Sequence, residues 1–417
     1  MIDRLPNQFT ADPTKVLLQF FDLNYDRIEL LLKNMHEMPD EIAKSTWQQT
    51  LELFSHRHRD YIQKLDFHVQ KVEHIIQAKI DLSSVKRSLL GAYLSKEYST
   101  QSAALFNPSI VLHPNQEGLQ KGAIRFLLSL RSTGEGHISS ISFKEGILDE
   151  NGHIEFAHQS RWQSTGEILN APVDGGESYQ VTFSENIPGN ERVLFPVSPH
   201  ESMGMEDLRL VRFSNEGAHR YIGTYTAYNG RSIQSKILQT DDFISFELQS
   251  LTGNASRGKG IAIFPRKIRD KYVAIGRQDG VNMSIMYSDK LTHWDTAKLL
   301  QAPTEPHEFI QLGNCGSPIE TARGWILLTH AVGPMRRYVL GVSLLDLEHP
   351  EKIIAKLTLP LLSPIESERE GYVPNVLYTC GFIRHQDILL IPYAMSDASC
   401  GFASVSVNEL LDQLSLS

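Results

Sequence analysis

Cysteine is scarce. Cys315, Cys380 and Cys400 are the only three in 417 residues, they are scattered, and none sits in a CxxC spacing. That excludes a disulfide scaffold and a thiolate zinc site, and it fits a reducing compartment. No apolar run is long enough to cross a bilayer as a helix. The N-terminal stretch MIDRLPNQFTADPTKVLLQFF lacks the basic start, apolar run and small-residue cleavage site of a secretory signal, so the expectation is a soluble cytoplasmic protein. A basic excess is missing too: 40 Lys and Arg stand against 49 Asp and Glu, a net charge of −9, which argues against nucleic acid as a partner.

Catalytic signatures of several large classes are also absent. There is no phosphate-binding P-loop, since STGEG at 132–136 has no following Lys-Ser/Thr, and there is no nucleophile elbow. HRHRD at 56–60 spaces its histidines i, i+2, which points them to different faces of a helix, so no metal is expected.

With 41% hydrophobic residues the chain can bury a large core, and two styles of patterning meet near residue 105. From Pro13 to about Ser99 apolar residues recur at three and four, as in Val16, Leu17, Phe20 and Phe21, then Ile28, Leu31 and Leu32, then Val72, Ile75 and Ile76, with Gly and Pro nearly absent. This predicts helices, one of them starting near Ser83. After Asn107 the period falls to two. Runs such as AIRFLLSLRS, HRYIGTYTAY, GWILLTHAV and DILLIPYAMSD are bounded by turn residues, with Asn-Gly hairpin signals at 151–152 and 229–230. Helical patterns return only at ELLDQL. The βαβ classes are excluded, leaving a sandwich, a barrel or a propeller, and weak recurrence of paired strands ending in an acidic turn favours a propeller. The expected division is 1–104 α-helical and 105–417 β-propeller.

Several constellations could carry chemistry. MGMEDLRLVRF sets Glu206 and Asp207 beside Arg209 at a strand start, where one carboxyl could be poised for proton transfer; a solvated turn with a surface ion pair is the other reading. In NCGSPIETARGWILLTHAVGPMRRYVLGVSLLD, residues Glu320, Trp325, His330, Arg336, Arg337 and Tyr338 lie among strand formers split by a Gly-Pro turn. Two paired strands there could bring a carboxylate, an imidazole and a phenol to one side. A structural Trp, a hydrogen-bonded His and exposed arginines are the plainer reading, and on the spacing alone the stronger one. Asp397 and the Asn107–Ser109 step could hold sugar hydroxyls or be turn chemistry alone, His137 in GEGHISSI reads as structural, and RGKG at 257–260 could bind an anion.

Taken in this order, EDLR, YTAY, IFPRKI with IGRQ, SPIETARGW followed by TH, RRYVLGVSLLDLEHP, VPNVLY and the Asp of PYAMSD resemble glycoside hydrolase family 130, the mannoside phosphorylases and β-mannosidases. The resemblance covers about Asn107 to Val407 and implies a five-bladed β-propeller with a helical N-terminal extension. It implies that Asp207 is the carboxyl acid that protonates the glycosidic oxygen, directly or through a sugar hydroxyl. Asn107, Arg131 and Asp397 would hold the terminal mannose. Lys259, Arg277, His330 and Tyr338 match phosphate-site positions, with Glu320 standing where phosphorylases carry a lysine.

A carboxylate about 4 Å from a phosphate charge would cost about 4 kcal/mol at an intermediate dielectric, whereas a carboxylate facing water is what an inverting hydrolase uses as base. The expectation is therefore an inverting β-mannosidase, with Asp207 as acid and Glu320 as base, acting on β-1,2-linked manno-oligosaccharides. The alternatives are an inverting phosphorylase that uses inorganic phosphate as co-substrate and releases mannose 1-phosphate, and a non-catalytic carbohydrate-binding propeller. No cofactor or metal is implied, and the helical extension offers apolar surface for a homo-oligomer.

Overall fold

In the computed structural model, which describes residues 2–170 and 178–416, the chain is mainly β with five α-helices among the described residues. The strands form successive antiparallel meanders. The first runs through Ala104–Leu112, Ile124–Thr133 and Ser139–Leu148, and the second through Gly204–Asn215, Ala218–Tyr228, Ile233–Thr240 and Ser245–Ser250. These two share one sheet through a parallel pair, Gly204 with Ser139. The third contains Lys259–Ile263, Tyr272–Arg277, Met283–Ser288 and Ala297–Gln301. The fourth contains Gln311–Asn314, Gly324–Val332, Tyr338–Leu345 and Ile353–Lys356, and the fifth Leu377–Tyr378, Ile388–Met395 and Ser399–Ser406.

Most of these strands read as near-continuous apolar runs because both of their faces are covered. All nine residues of Gly324–Val332 are buried. Apolar clusters lie between consecutive meanders: Val111, Leu127 and Ile141 meet Leu208, Tyr221 and Leu238, and Ile222 and Ile237 meet Ile261 and Met286. Val273 and Ile285 then meet Leu327 and Val339, and Leu328 and Leu340 meet Leu389 and Val405. A further cluster joins Leu390 and Phe402 of the last meander to Phe106 and Phe126 of the first, which closes a ring. The hairpin signals hold: Asn151-Gly152 joins Ser139–Leu148 to Ile154–Phe156, and Asn229-Gly230 joins Ala218–Tyr228 to Ile233–Thr240, each glycine at positive φ.

Helices α1 (Tyr25–Glu37), α2 (Asp40–Phe54), α3 (Tyr61–Ile76) and α4 (Ser84–Tyr93) pack on a small core of their own around Met35, Val69, Val72 and Leu90; α5 (Val407–Leu416) ends the chain. The expectation that residues 1–104 are helical needs correction. Val16–Phe20 is a strand paired with Ser95–Ser99, and Asp3–Phe9 is a strand paired antiparallel with Ser399–Ser406. A five-residue apolar run such as VLLQF fits either a helix turn or a buried strand, and here a partner nearly eighty residues away decided it. The first strand thus belongs to the last sheet, so the boundary at 104/105 does not separate a wholly helical region from the β-sheets.

Candidate active site

Three of the meanders carry the same irregularity near the start of their first strand. Asn107-Pro108, Asp207-Leu208 and Gly260-Ile261 each insert two residues against one on the neighbouring strand, and the first residue of each pair is left-handed, at φ 47°, 56° and 76°. Such bulges bend the strand and re-aim a side chain at the rim of a sheet. Here they turn Asn107 and Asp207 into a shared cavity of about 290 Å³, and at Gly260 the backbone passes close under Arg209.

The cavity is strongly polar. Arg131 donates from Nη2 to Glu206 Oε1 at 2.8 Å, from Nη1 to Asp207 Oδ1 at 3.3 Å and from Nε to Ser139 Oγ at 2.9 Å, while its guanidinium lies 4.9 Å over the Phe106 ring. Asn107 Nδ2 donates to Asp207 Oδ1 at 2.6 Å, and Lys259 Nζ donates to Glu206 Oε2 at 3.2 Å. Arg209 donates to the backbone carbonyl of Asp207 at 3.0 Å and to the Tyr378 hydroxyl. Burial by itself would raise the Asp207 pKa, but Arg131, Arg209 and the Asn107 hydrogen bond together hold it below the ordinary carboxylate value. Asp397 goes the other way, pushed up to about 6 by burial and by the charge on Asp207.

A second group faces these carboxylates. His330 Nδ1 donates to Asn314 O at 3.1 Å, which leaves Nε2 as the acceptor for Arg277 Nη1 at 3.1 Å and Gln311 at 3.3 Å. Burial first, then Arg277 and Arg209, lower the His330 pKa well below its usual value, in agreement with that neutral tautomer. The ring stacks on Tyr338 and tilts against Tyr378. Gly313 makes room for the pair: a Cβ there would meet His330 Cε1 at 2.4 Å and Arg277 Nη1 at 3.2 Å. Asn107 Oδ1 and Arg277 Nε are buried without a protein partner among the described residues, which suits groups that wait for a ligand.

Asn107, Arg131, Asp207, Lys259, Arg277, His330, Tyr338 and Asp397 therefore all line one cavity, as does Arg336. Glu320 does not. It sits on the short strand Ile319–Thr321, half exposed, in a bidentate ion pair with Arg266 at 2.6 and 2.8 Å, beside a separate and mainly apolar pocket. The expectation of Glu320 as catalytic base is corrected on that ground: the carboxylate is neutralised and lies outside the cavity. Trp325 is a core residue, its Nε1 donating to Leu347 O. Sequence reasoning gave no role to Gln311 or to Tyr378, although Tyr378 ends the VPNVLY motif; Gln311 lies in no motif.

Among the described residues no group of His, Cys, Asp or Glu could hold a metal ion, and no helix is long and apolar enough to cross a membrane. The family model described as beta-1,4-mannooligosaccharide phosphorylase matches residues 171–416. A beta-1,2-mannobiose phosphorylase of Listeria innocua is 29% identical over 230 residues, which cover 53% of this chain and 63% of that enzyme's length. Another beta-1,2-mannobiose phosphorylase, from Thermoanaerobacter sp., is 32% identical over 318 residues, covering 74% of this chain and 92% of that one. The solved Listeria innocua enzyme in complex with beta-1,2-mannobiose superposes with a TM-score of 0.55 at 19% identity over 77% of this chain and 94% of that one, which supports the shared fold. The chain belongs to glycoside hydrolase family 130.

Proposed function

We propose that the protein is an inverting β-mannoside phosphorylase acting on β-1,2-linked manno-oligosaccharides, with inorganic phosphate as nucleophile and mannose 1-phosphate as product. This reverses the preference for hydrolysis that Glu320 suggested. The observation that carries it is the charge of the cavity: five cationic side chains, Arg131, Arg209, Lys259, Arg277 and Arg336, face three carboxylates, Glu206, Asp207 and Asp397. With His330 neutral the free site has a net charge of +2, matched to a phosphate dianion, and Arg277 has an unused donor. The names of the relatives point the same way.

In this reading Asn107, Arg131 and Asp397 hold the terminal mannose, Asp397 accepting from its hydroxyls. Lys259, Arg277, His330 and Tyr338 hold phosphate on the opposite face of the sugar ring. Asp207 is ionised in the free enzyme because cations surround it. A bound phosphate dianion offsets those cations, so the Asp207 pKa rises and the carboxyl takes up the proton it must deliver. As the C–O bond to the leaving sugar breaks, that proton goes to its oxygen. Phosphate forms the new C–O bond at the anomeric carbon with inversion and releases its own proton, so the balance closes on one HPO4 dianion consumed and one sugar phosphate dianion formed.

Incubation with β-1,2-mannobiose, with and without phosphate, tests this. Mannose 1-phosphate formed only with phosphate is the expected result; free mannose released at equal rate without phosphate would restore hydrolysis. A non-catalytic carbohydrate-binding protein would show turnover in neither.

The ring of meanders supports a five-bladed propeller in which Asp3–Phe9 completes the last blade. The exposed Leu30, Ile42, Leu53 and Phe67 of α1 to α3 support self-association of the helical region. A Leu30→Glu, Leu53→Glu double variant with an unchanged mass in solution would remove that role.

A further inference from the structure

Two hairpin turns, one following the strand that carries Arg131 and one containing Arg336, are built alike. One is Gly134–Ile138 and the other Gly333–Arg337. Each opens on an extended glycine, at φ −109°, ψ −156° and φ −116°, ψ −158°. Each then carries two left-handed residues in a row, Gly136 and His137 in the first, Met335 and Arg336 in the second. Each is closed by the glycine N–H on a carbonyl four residues on, Ile138 O at 3.0 Å and Arg337 O at 3.1 Å. The turns leave strands paired in the same register, Thr133 with Ser139 and Val332 with Tyr338. In the second turn the last left-handed residue is Arg336, which lines the cavity. Its counterpart in the first turn is His137, exposed, at the end of the strand that carries Arg131.

His137 has a ring partner on another element. Its ring lies 5.7 Å from that of Tyr372, inclined by 33°, and Tyr372 is 67% exposed. The segment that bears Tyr372 is fixed against the Asp397 turn: Val373 N–H donates to Ser396 O at 3.0 Å, and at Gly371 a Cβ would meet that same oxygen at 2.5 Å. The two rings therefore bridge the elements that carry Arg131 and Asp397. Neither ring is needed for core packing, and two large exposed rings fixed on rigid turns mark a contact surface. The faces of the rings suit the C–H faces of a neutral sugar.

We propose that Tyr372 and His137 form a stacking platform at the cavity mouth for the sugar on the leaving-group side of the scissile bond. It rests on the functional reading above. The cavity is open on one side, and the sugars beyond the terminal mannose would leave it there.

Binding without turnover tests it. β-1,2-Mannotriose and mannose 1-phosphate are titrated calorimetrically into the Asp207→Asn protein, alone and combined with Tyr372→Ala, His137→Ala or Tyr372→Trp. The expected result is a Kd for mannotriose roughly fivefold weaker with either alanine and restored with Tyr372→Trp, since a ring contact is worth on the order of 1 kcal/mol, while mannose 1-phosphate binds as before. Mannotriose affinity unchanged within about twofold in both alanine variants, or an equal loss for mannose 1-phosphate, would overturn the platform alone. No binding of either ligand to the protein with both rings intact would overturn the functional reading and the platform with it.

Discussion

Asn107 Nδ2 donates to Asp207 Oδ1 over 2.6 Å, joining two residues one hundred positions apart that both sit at the left-handed position of a strand bulge. The pairing ties the proposed mannose contact to the proposed acid. It also leaves Asn107 Oδ1 without a protein partner, available to a sugar hydroxyl.

Asp207→Asn is expected to lower the rate of mannose 1-phosphate formation by about 10²–10⁴, the range for loss of a general acid, with oligosaccharide binding retained. Steady-state kinetics and calorimetry read the two effects separately. Asn107→Ala should weaken substrate binding and, by removing a hydrogen bond that stabilises the carboxylate, raise the Asp207 pKa; no shift in the limb of the kcat/KM profile on which Asp207 loses its proton would contradict the coupling.

Glu320→Gln should leave turnover within about twofold of the wild type, because the carboxylate is paired with Arg266 away from the cavity. The pair is partly exposed, so its loss should change stability by about 0–1 kcal/mol, read by chemical denaturation. Abolished turnover with intact stability would put Glu320 back in the reaction.

In the proposed reading Asp397 accepts from mannose hydroxyls as a carboxylate, and burial and the charge on Asp207 push its pKa up to about 6. KM for the mannoside should therefore rise as pH falls through about 6, with the limb absent in Asp397→Asn. The stability effect has the opposite sense: a carboxyl whose folded pKa is raised contributes stability below its unfolded value that is lost as pH climbs towards 6. Asp207, with its pKa lowered, contributes stability at neutral pH that is lost only as pH falls below the ordinary aspartate range. Denaturation midpoints between pH 4 and 7 for the wild type and Asp397→Asn separate the two.

Gly313→Ala should raise the KM for phosphate by about tenfold or more, since the new methyl displaces His330 and Arg277 together; overpacking of this kind costs about 1–3 kcal/mol. A phosphate KM equal to the wild type would show that neither side chain contributes to the phosphate site.

Much was legible from one dimension. The period of two after Asn107, the Asn-Gly turns and the Gly-Pro break at 333–334 report local backbone preferences, and the hairpins stand where they predict. The family resemblance implied one site for Asp207, Arg131, Lys259, Arg277, His330 and Asp397, and all six line the cavity. Glu320 was misread because its position in a motif carries no information on where the side chain points: on the strand Ile319–Thr321 it turns to Arg266, itself stacked 5.0 Å over Trp325.

The sequence by itself determined the mainly β class, the turns and the polar residues that the strands deliver to their ends, since all of these follow from local periodicity and backbone chemistry. Only the tertiary structure decided which carboxylates share the cavity and which is neutralised outside it. It also decided that Asp3–Phe9 completes the last sheet, and that His137 meets Tyr372. The physical reason is the same in each case: electrostatic and ring contacts fall off within a few ångströms, and the partners are brought that close by strand pairing across tens to hundreds of residues.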